Sequence, residues 1–307
     1  MMTIDVIIPV YKPGKTLKKL IKTLESQTRQ IQKIWLMHTD DGQDLSWVKE
    51  SVIPVEEILI QKDAYDHGGT RNMAVANSQA DVVVCMTQDA VAANSHLIQK
   101  LIEALYQEAE IAVAYARQVA GREADILEMY TRTFNYPETS RIKTKDDIEK
   151  MGIKAFFCSN VCAAYKREVF VQLGGFETPI IFNEDMVYAA KVLHNGRKVA
   201  YAADAVVRHS HNYSALSQLK RNFDLGVSQS CYPEIFEHIS SEKEGIRLIL
   251  ETADKLIRAK KPMKIVKLGV HSISKYVGYR LGRNYEKIPK RCIAMLTTNP
   301  AYWMKEE

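Results

Sequence analysis

The first 120 residues alternate between short, almost wholly apolar runs and longer stretches apolar on one face, and this rhythm restricts the fold most. Ile4 to Val10 reads as a buried strand, and Thr16 to Gln27 places Leu17, Leu20, Ile21 and Leu24 at helical spacing. Ile31 to Met37 gives a second strand, and Ile58 to Ile60 marks a third. A helix over Gly69 to Ser78 and a strand over Asp81 to Met86 follow. Asn94 or Ser95 then caps a helix whose Leu97, Leu101 and Leu105 share a face, and Ile111 to Arg117 is a further strand. Strands and helices in this order predict an α/β fold, a mostly parallel sheet with helices on both faces.

The pattern loosens and turns polar from Gly121 to Gly152, which predicts an inserted loop or lid. Val161 to Tyr165, Val199 to Ala202 and Val206 to His209 read as short strands, with a helix near Asp185 to Leu193. Beyond Ser214 only helices remain, over Ser217–Ser230, Glu244–Ala259, Met263–Arg283 and Ile288–Leu296. The organisation expected is an α/β domain over residues 1–213 and a helical C-terminal region over 214–307, a membrane- or acceptor-binding appendage.

A chain of 307 residues buries enough surface to need neither metal nor disulfide for its core. Its five cysteines form no Cys-x-x-Cys pair, and the odd count suits free thiols in a reducing compartment. No run of about 18 apolar residues is present to span a membrane, and the N-terminus lacks the basic region of a signal peptide. These features predict a cytoplasmic protein. Its charge is uneven: residues 255–292 hold twelve Lys and Arg against one acid, Glu286, within a net charge of only +5. A basic tail on a mildly acidic body points to an anionic partner, either a membrane surface such as the inner face of the cell membrane or nucleic acid.

In an open α/β sheet, ligands bind beyond the carboxyl ends of the strands. The loops there are Tyr11-Lys12-Pro13-Gly14, Thr39-Asp40-Asp41-Gly42 and Thr87-Gln88-Asp89. None has the glycine spacing of a dinucleotide or Walker loop, which argues against hydride transfer and against that type of ATP hydrolysis. Asp66-His67-Gly68-Gly69-Thr70-Arg71-Asn72 is the densest polar cluster. Two glycines opening a helix offer backbone N–H groups to an anion, and Arg71 adds a fork suited to phosphate; a plain turn with a helix cap accounts for the same residues. Asp89, at the end of an apolar strand, can bind a divalent cation that holds phosphates, or simply flank a helix. Asn183-Glu184-Asp185 opens a helix, where one acid can act as general base and where capping is the plainer role. His209-Ser210-His211 ends a strand with both imidazoles on one face, without a third Cys or His to make a zinc site.

Taken in order, these clusters resemble glycosyltransferase family 2, inverting enzymes of the GT-A fold that use nucleotide-diphosphate sugars. His67-Gly68-Gly69-Thr70-Arg71-Asn72 and the His-Ser-His ending resemble its rhamnosyltransferase branch, whose donor is dTDP-L-rhamnose. The resemblance covers roughly residues 3–215. It implies that Asp89 holds a Mg2+ or Mn2+ ion on the diphosphate, with His209 as an added metal ligand because Thr87 replaces the motif's first Asp. It implies a nucleotide-sugar site of Pro9, Tyr11, Asp40 or Asp41, His67, Gly68, Gly69, Arg71, Gln88 and Asp89, with Arg71 on the pyrophosphate. Asp185 matches the catalytic base, with Glu184 beside it. The implied reaction moves L-rhamnose to a hydroxyl of a glycan, typically lipid-linked, in bacterial surface polysaccharide synthesis. The basic tail, where Lys264, Lys267, Lys275 and Arg283 interleave with apolar residues, then reads as an interfacial helix. A UDP-hexose or UDP-N-acetylhexosamine donor is the alternative within the fold. A nucleotidyltransferase is disfavoured because the loop after the first strand lacks a Gly-rich motif with Arg. A non-catalytic module binding nucleotide or nucleic acid would leave Asp89 and Asp185 without a purpose, so no nucleic acid partner is expected.

Overall fold

The computed structural model describes residues 2–237 and 242–304. They form two compact units, each assembled from separated stretches of chain. The first comprises Met1–Val119, Tyr136–Pro179 and Glu184–His209; the second comprises Ala120–Asn135, Ile180–Asn183 and Ser210–Glu307.

The first unit is built on nine strands: β1 (Ile4–Val10), β2 (Lys33–Thr39), β3 (Val55–Ile60), β4 (Val82–Met86), β5 (Val91–Ala92), β6 (Ile111–Val119), β7 (Arg141–Lys143), β8 (Cys162–Lys166) and β9 (Lys198–Arg208). They join in the order β3-β2-β1-β4-β8-β6-β9-β5, with β7 also on β9. β1 to β4 run parallel to one another, as do β6 and β9. β8 runs antiparallel between β4 and β6, and β5 and β7 are antiparallel to β9, so the sheet is mixed with helices on both faces. β1 and β4 are buried almost throughout, which is why their sequences carry apolar residues without alternation. The helix Lys15–Glu25 buries Leu17, Leu20, Ile21 and Leu24, and Leu97–Leu105 buries Leu97, Ile98, Leu101, Ile102 and Leu105. Each such side chain contributes about 1.5–3 kcal/mol, so the two helices are fixed by their stripes.

Three expectations change. Gly121 to Gly152 is not a loose lid: it holds the helix Ile126–Asn135, β7 and the helix Asp147–Met151. The two strands expected over 199–209 are one, whose pairing with β6 slips between Ala202 and Val206. Asp204, exposed in that irregularity, broke the apolar pattern. A short helix, Pro300–Met304, also follows those anticipated in the tail.

The second unit is helical, dominated by Ala215–Cys231, Glu242–Arg258 and Pro262–Gly282. Phe223 and Val227 pack with Ile181, Ile293 and Tyr302 in its core. Lys264 and Lys267 both pair with Asp125, at 2.7 and 3.0 Å, while their side chains stay partly exposed. Burial alone would raise the Asp125 carboxyl; the bonds from Lys264, the Leu127 N–H and Lys267 outweigh it and hold it well below the usual range. What the helix Pro262–Gly282 shows to solvent is an apolar row of Met263, Val266, Val270, Ile273 and Val277. No helix among the described residues is long and apolar enough to cross a membrane. No disulfide joins the cysteines among the described residues.

Candidate active site

The loops after β1, β2, β3 and β4 leave one edge of the sheet, because these strands are parallel, and side chains stitch them together. The Tyr11 N–H donates to Gln88 Oε1 at 3.0 Å, and Gln88 Nε2 returns a bond to the Tyr11 carbonyl at 2.9 Å. Pro9 is half-buried at the end of β1, and the exposed Tyr11 ring has the ammonium groups of Lys12 and Lys62 at 5.3 and 5.9 Å. Asp41 accepts from the Lys12 and Gln43 N–H groups, while His38 lies between Asp41 and Glu57 at 3.2 and 2.6 Å. Burial raises the Asp41 pKa, but those N–H groups and His38 prevail and lower it. Asp41 thus fixes loops together. Asp40 is exposed and caps the Gly42 N–H at 3.2 Å.

The helix His67–Asn77 corrects two expectations. The Gly68 and Gly69 N–H groups are not open to an anion, because both donate to Asp66 Oδ1, at 3.1 and 2.7 Å. Asp66 is the N-cap, and its carboxylate takes the place the anion would have filled. Arg71 is not offered outward either. It is 4% exposed, donates to the His67 carbonyl at 2.7 Å and pairs with Glu184 Oε1 at 3.2 Å. His67 itself is half-buried, its Nδ1 3.2 Å from the Tyr65 hydroxyl. Asn72 exchanges two bonds with the backbone of Phe176, at 2.8 and 3.0 Å. Gly175, at φ +67°, lies so close that a Cβ there would meet Asn72 Oδ1 at 2.8 Å, which explains the glycine.

Glu184 and Asp185 begin the helix Glu184–His194. Asp185 accepts from the Asn160 N–H through Oδ2 and from the Met186 N–H through Oδ1, both at 2.8 Å. Asn160 Nδ2 donates to Glu184 Oε1 at 3.0 Å, and the Tyr165 hydroxyl donates to Asn160 Oδ1 at 2.7 Å. The two acids titrate apart. Burial would raise Glu184, but Arg71, His67 and the Asn160 amide hold it below the usual carboxylate range. Burial and then the Glu184 charge push Asp185 up to about 7. One carboxylate is therefore committed to a cation, and its neighbour is poised to exchange a proton near neutrality.

Asp89 and His209 meet at the same edge, His209 Nε2 lying 3.5 Å from Asp89 Oδ1. Gln118 gives its amide N–H groups to Tyr136 and Ser159 and turns Oε1 to His209 Nδ1 at 3.1 Å. With Gln118 Oε1 facing Nδ1, Nε2 is the ring nitrogen turned to Asp89, and an imidazole nitrogen beside a carboxylate is a donor set that can hold a divalent cation. The Thr87 hydroxyl is buried without a hydrogen-bond partner among the described residues and adds no charge. His211 falls in the second unit. Ser159, Asn160 and Val161 are consecutive: the first bonds Gln118, the second both acids, and the third accepts the Thr87 N–H. This tripeptide, which the sequence reading missed, ties the Asp89–His209 pair to Glu184 and Asp185. Only strand order shows it, since it precedes β8 and β8 lies between β4 and β6.

A family profile described as Glycosyl transferase family 2 matches residues 5–174, more than half the chain. The chain belongs to glycosyl transferase family 2. Within the family it is 35% identical to the O-antigen chain rhamnosyltransferase RfbN of Salmonella typhimurium, covering 98% of this chain and 96% of that one. It is 33% identical to the O-antigen chain rhamnosyltransferase WbaN of Salmonella anatum, over 99% and 96%. Among solved structures it resembles the mannosyltransferase of Pyrobaculum calidifontis in complex with GDP-Man and Mn2+, at TM-score 0.56, 15% identity and coverage of 98% and 86%. Residues 1–349 of S. aureus TarS in complex with UDP-GlcNAc align at TM-score 0.52, 12% identity and coverage of 93% and 92%. At such identities these two carry the fold, which is GT-A, and the family makes this glycosyltransferase an enzyme.

Proposed function

We propose that this glycosyltransferase moves L-rhamnose from dTDP-L-rhamnose to a hydroxyl of a lipid-linked glycan in surface polysaccharide synthesis, with inversion. What carries the reading is the near full-length likeness to two O-antigen chain rhamnosyltransferases. The site's chemistry supports it. Asp185 takes the proton of the acceptor hydroxyl as its oxygen bonds to the sugar C1. The bond from C1 to the diphosphate oxygen breaks with its electron pair on the leaving dTDP, and one displacement inverts the centre. Glu184, held ionised by Arg71, raises the affinity of Asp185 for that proton. Pro9, Tyr11 and Asp40 line the nucleotide side, with Gln88 and Asp41 keeping their loops in place. Asp89 and His209 would hold Mg2+ or Mn2+, which neutralises charge on the diphosphate. Arg71, being buried, acts on Glu184 rather than on phosphate.

A thermal-shift panel of dTDP, UDP, GDP and their sugars, with and without Mn2+, tests the donor. A ligand at a hundred times its Kd adds about 2.7 kcal/mol, so dTDP and dTDP-L-rhamnose should raise the melting temperature selectively. Asp89→Ala should lose most of the Mn2+-dependent part and little of the rest. A UDP-selective response would sink the rhamnose assignment while keeping the transfer chemistry.

Residues 1–213 carry the donor chemistry in this reading, and 214–307 meet the membrane that bears the acceptor. Support comes from the exposed row Met263, Val266, Val270, Ile273 and Val277, with Arg258, Lys260 and Lys261 just before it. Cations near anionic lipid contribute about 1 kcal/mol each, and an apolar row adds the buried area. The protein should float with phosphatidylglycerol vesicles, and Val266→Ser with Ile273→Ser should reduce this markedly. Equal flotation of parent and variant would remove the row from the role.

A further inference from the structure

We propose that Asn160 is a positioning residue that decides which of the two adjacent carboxylates, Glu184 or Asp185, is open to the acceptor's proton. This rests on Asp185 being the base. Two neighbouring acids in one buried site compete for a single proton, and which of them holds it depends on the donors each receives. Asn160 supplies a donor to both: its side-chain amide to Glu184 Oε1 at 3.0 Å and its backbone N–H to Asp185 Oδ2 at 2.8 Å.

The amide cannot turn over. The Tyr165 hydroxyl donates to Asn160 Oδ1 at 2.7 Å, which leaves Nδ2 facing Glu184; the reverse orientation would set a carbonyl oxygen against a carboxylate. Asn160 is 3% exposed, so water does not replace these bonds. Together with Arg71 it commits Glu184 to the ionised state, and Glu184 is then the fixed negative charge that Asp185 feels. The other titratable groups around the pair are His67, Tyr65, Cys85, Cys158 and Tyr165. Burial pushes Cys85 and Cys158 up to about 12, and it raises both tyrosines, so these four stay neutral across the working range.

The test compares Asn160→Ala and Asn160→Asp with the parent, following nucleoside diphosphate release from the nucleotide sugar that stabilises the parent most. Asn160→Ala should lower kcat about tenfold or more and move the acid limb of the pH profile downward, because a Glu184 that takes up the proton no longer presents the negative charge that holds the Asp185 pKa up. The isosteric Asn160→Asp, which still accepts from Tyr165, adds a third carboxyl whose charge raises the proton affinity of Asp185, and should move the limb upward instead. Affinity for the free nucleoside diphosphate should stay within about twofold in both, since neither change touches the nucleotide loops. A residue needed only for packing would lower activity without moving the limb. An unmoved limb in both variants overturns the proposal. If release into water is too slow to follow, the pH dependence of the melting temperature reads the same pair, and Asn160→Asp should alter it. An Asp185→Asn enzyme that keeps turnover would instead remove the base reading, so the two failures are separable.

Discussion

Asp185→Asn is expected to lose about a hundredfold to ten-thousandfold in transfer while binding the donor nearly as well as the parent, the range a positioned general base supplies. The amide has the size and shape of the carboxyl, so the helix Glu184–His194 keeps its place and the nucleotide loops are untouched. It cannot take the acceptor's proton. Turnover with and without the substitution, alongside calorimetric donor binding, measures this directly, and near-parental turnover would exclude Asp185 from the role. The same substitution has a signature in stability. In the folded chain Asp185 keeps its proton up to about 7, whereas the unfolded chain releases it near the ordinary aspartate value of 3.8. Between those values the folded state binds more protons than the unfolded one, so this group's contribution to stability falls as pH rises from about 4 to 7. Asp185→Asn removes that decline. The difference in melting temperature should therefore move in the variant's favour from about pH 5 to 8; parallel curves would mean that Asp185 does not keep its proton.

Gly278→Ala and Gly282→Ala are expected to cost the second unit about 2–3 kcal/mol or more each, seen as a clear drop in its thermal unfolding. A Cβ at Gly278 would fall on the carbonyl oxygen of Leu219, and one at Gly282 on that of Phe223. Gly226 on the facing helix would in turn strike Tyr279 O. These are backbone atoms, so no rotamer change relieves the collision and the helices Ala215–Cys231 and Pro262–Gly282 must part. The contrast lies nine residues away on the same helix. Gly269 has nothing within 4 Å of its Cβ position, so Gly269→Ala should gain up to about 1 kcal/mol of helix propensity. Gly278→Ala unfolding with the parent would show that the close approach is not needed.

Much of the architecture was legible beforehand because it rests on local periodicity. The strand Ile4–Val10 is the one expected, and the helices Lys15–Glu25, Leu97–Leu105 and Glu184–His194 fall within a few residues of their apolar stripes. The stretch from Gly121 to Gly152 differs: Ile126, Tyr130 and Phe134 do fall at helical spacing, but the helix Ile126–Asn135 buries only Leu127 fully and sits among polar residues that read as a loop. β9 was split because one exposed acid, Asp204, interrupts an otherwise buried run.

The candidate site divides along the same line. Sequence order put Tyr11, Asp40, Asp41, Gln88 and Asp89 on loops at one edge of the sheet, because parallel strands deliver their carboxyl ends together. It also marked Glu184 and Asp185 as acids opening a helix. Which acid holds a proton, where Arg71 points, what occupies the Gly68 and Gly69 N–H groups and what joins the two clusters were decided in three dimensions. Charge and hydrogen-bond partners come from whatever lies across the fold. Arg71 meets an acid more than a hundred residues along the chain, and Asn160 reaches both carboxylates only because β8 enters the sheet beside β4. Periodicity depends on neighbours in sequence, whereas the state of a buried charge depends on neighbours in space.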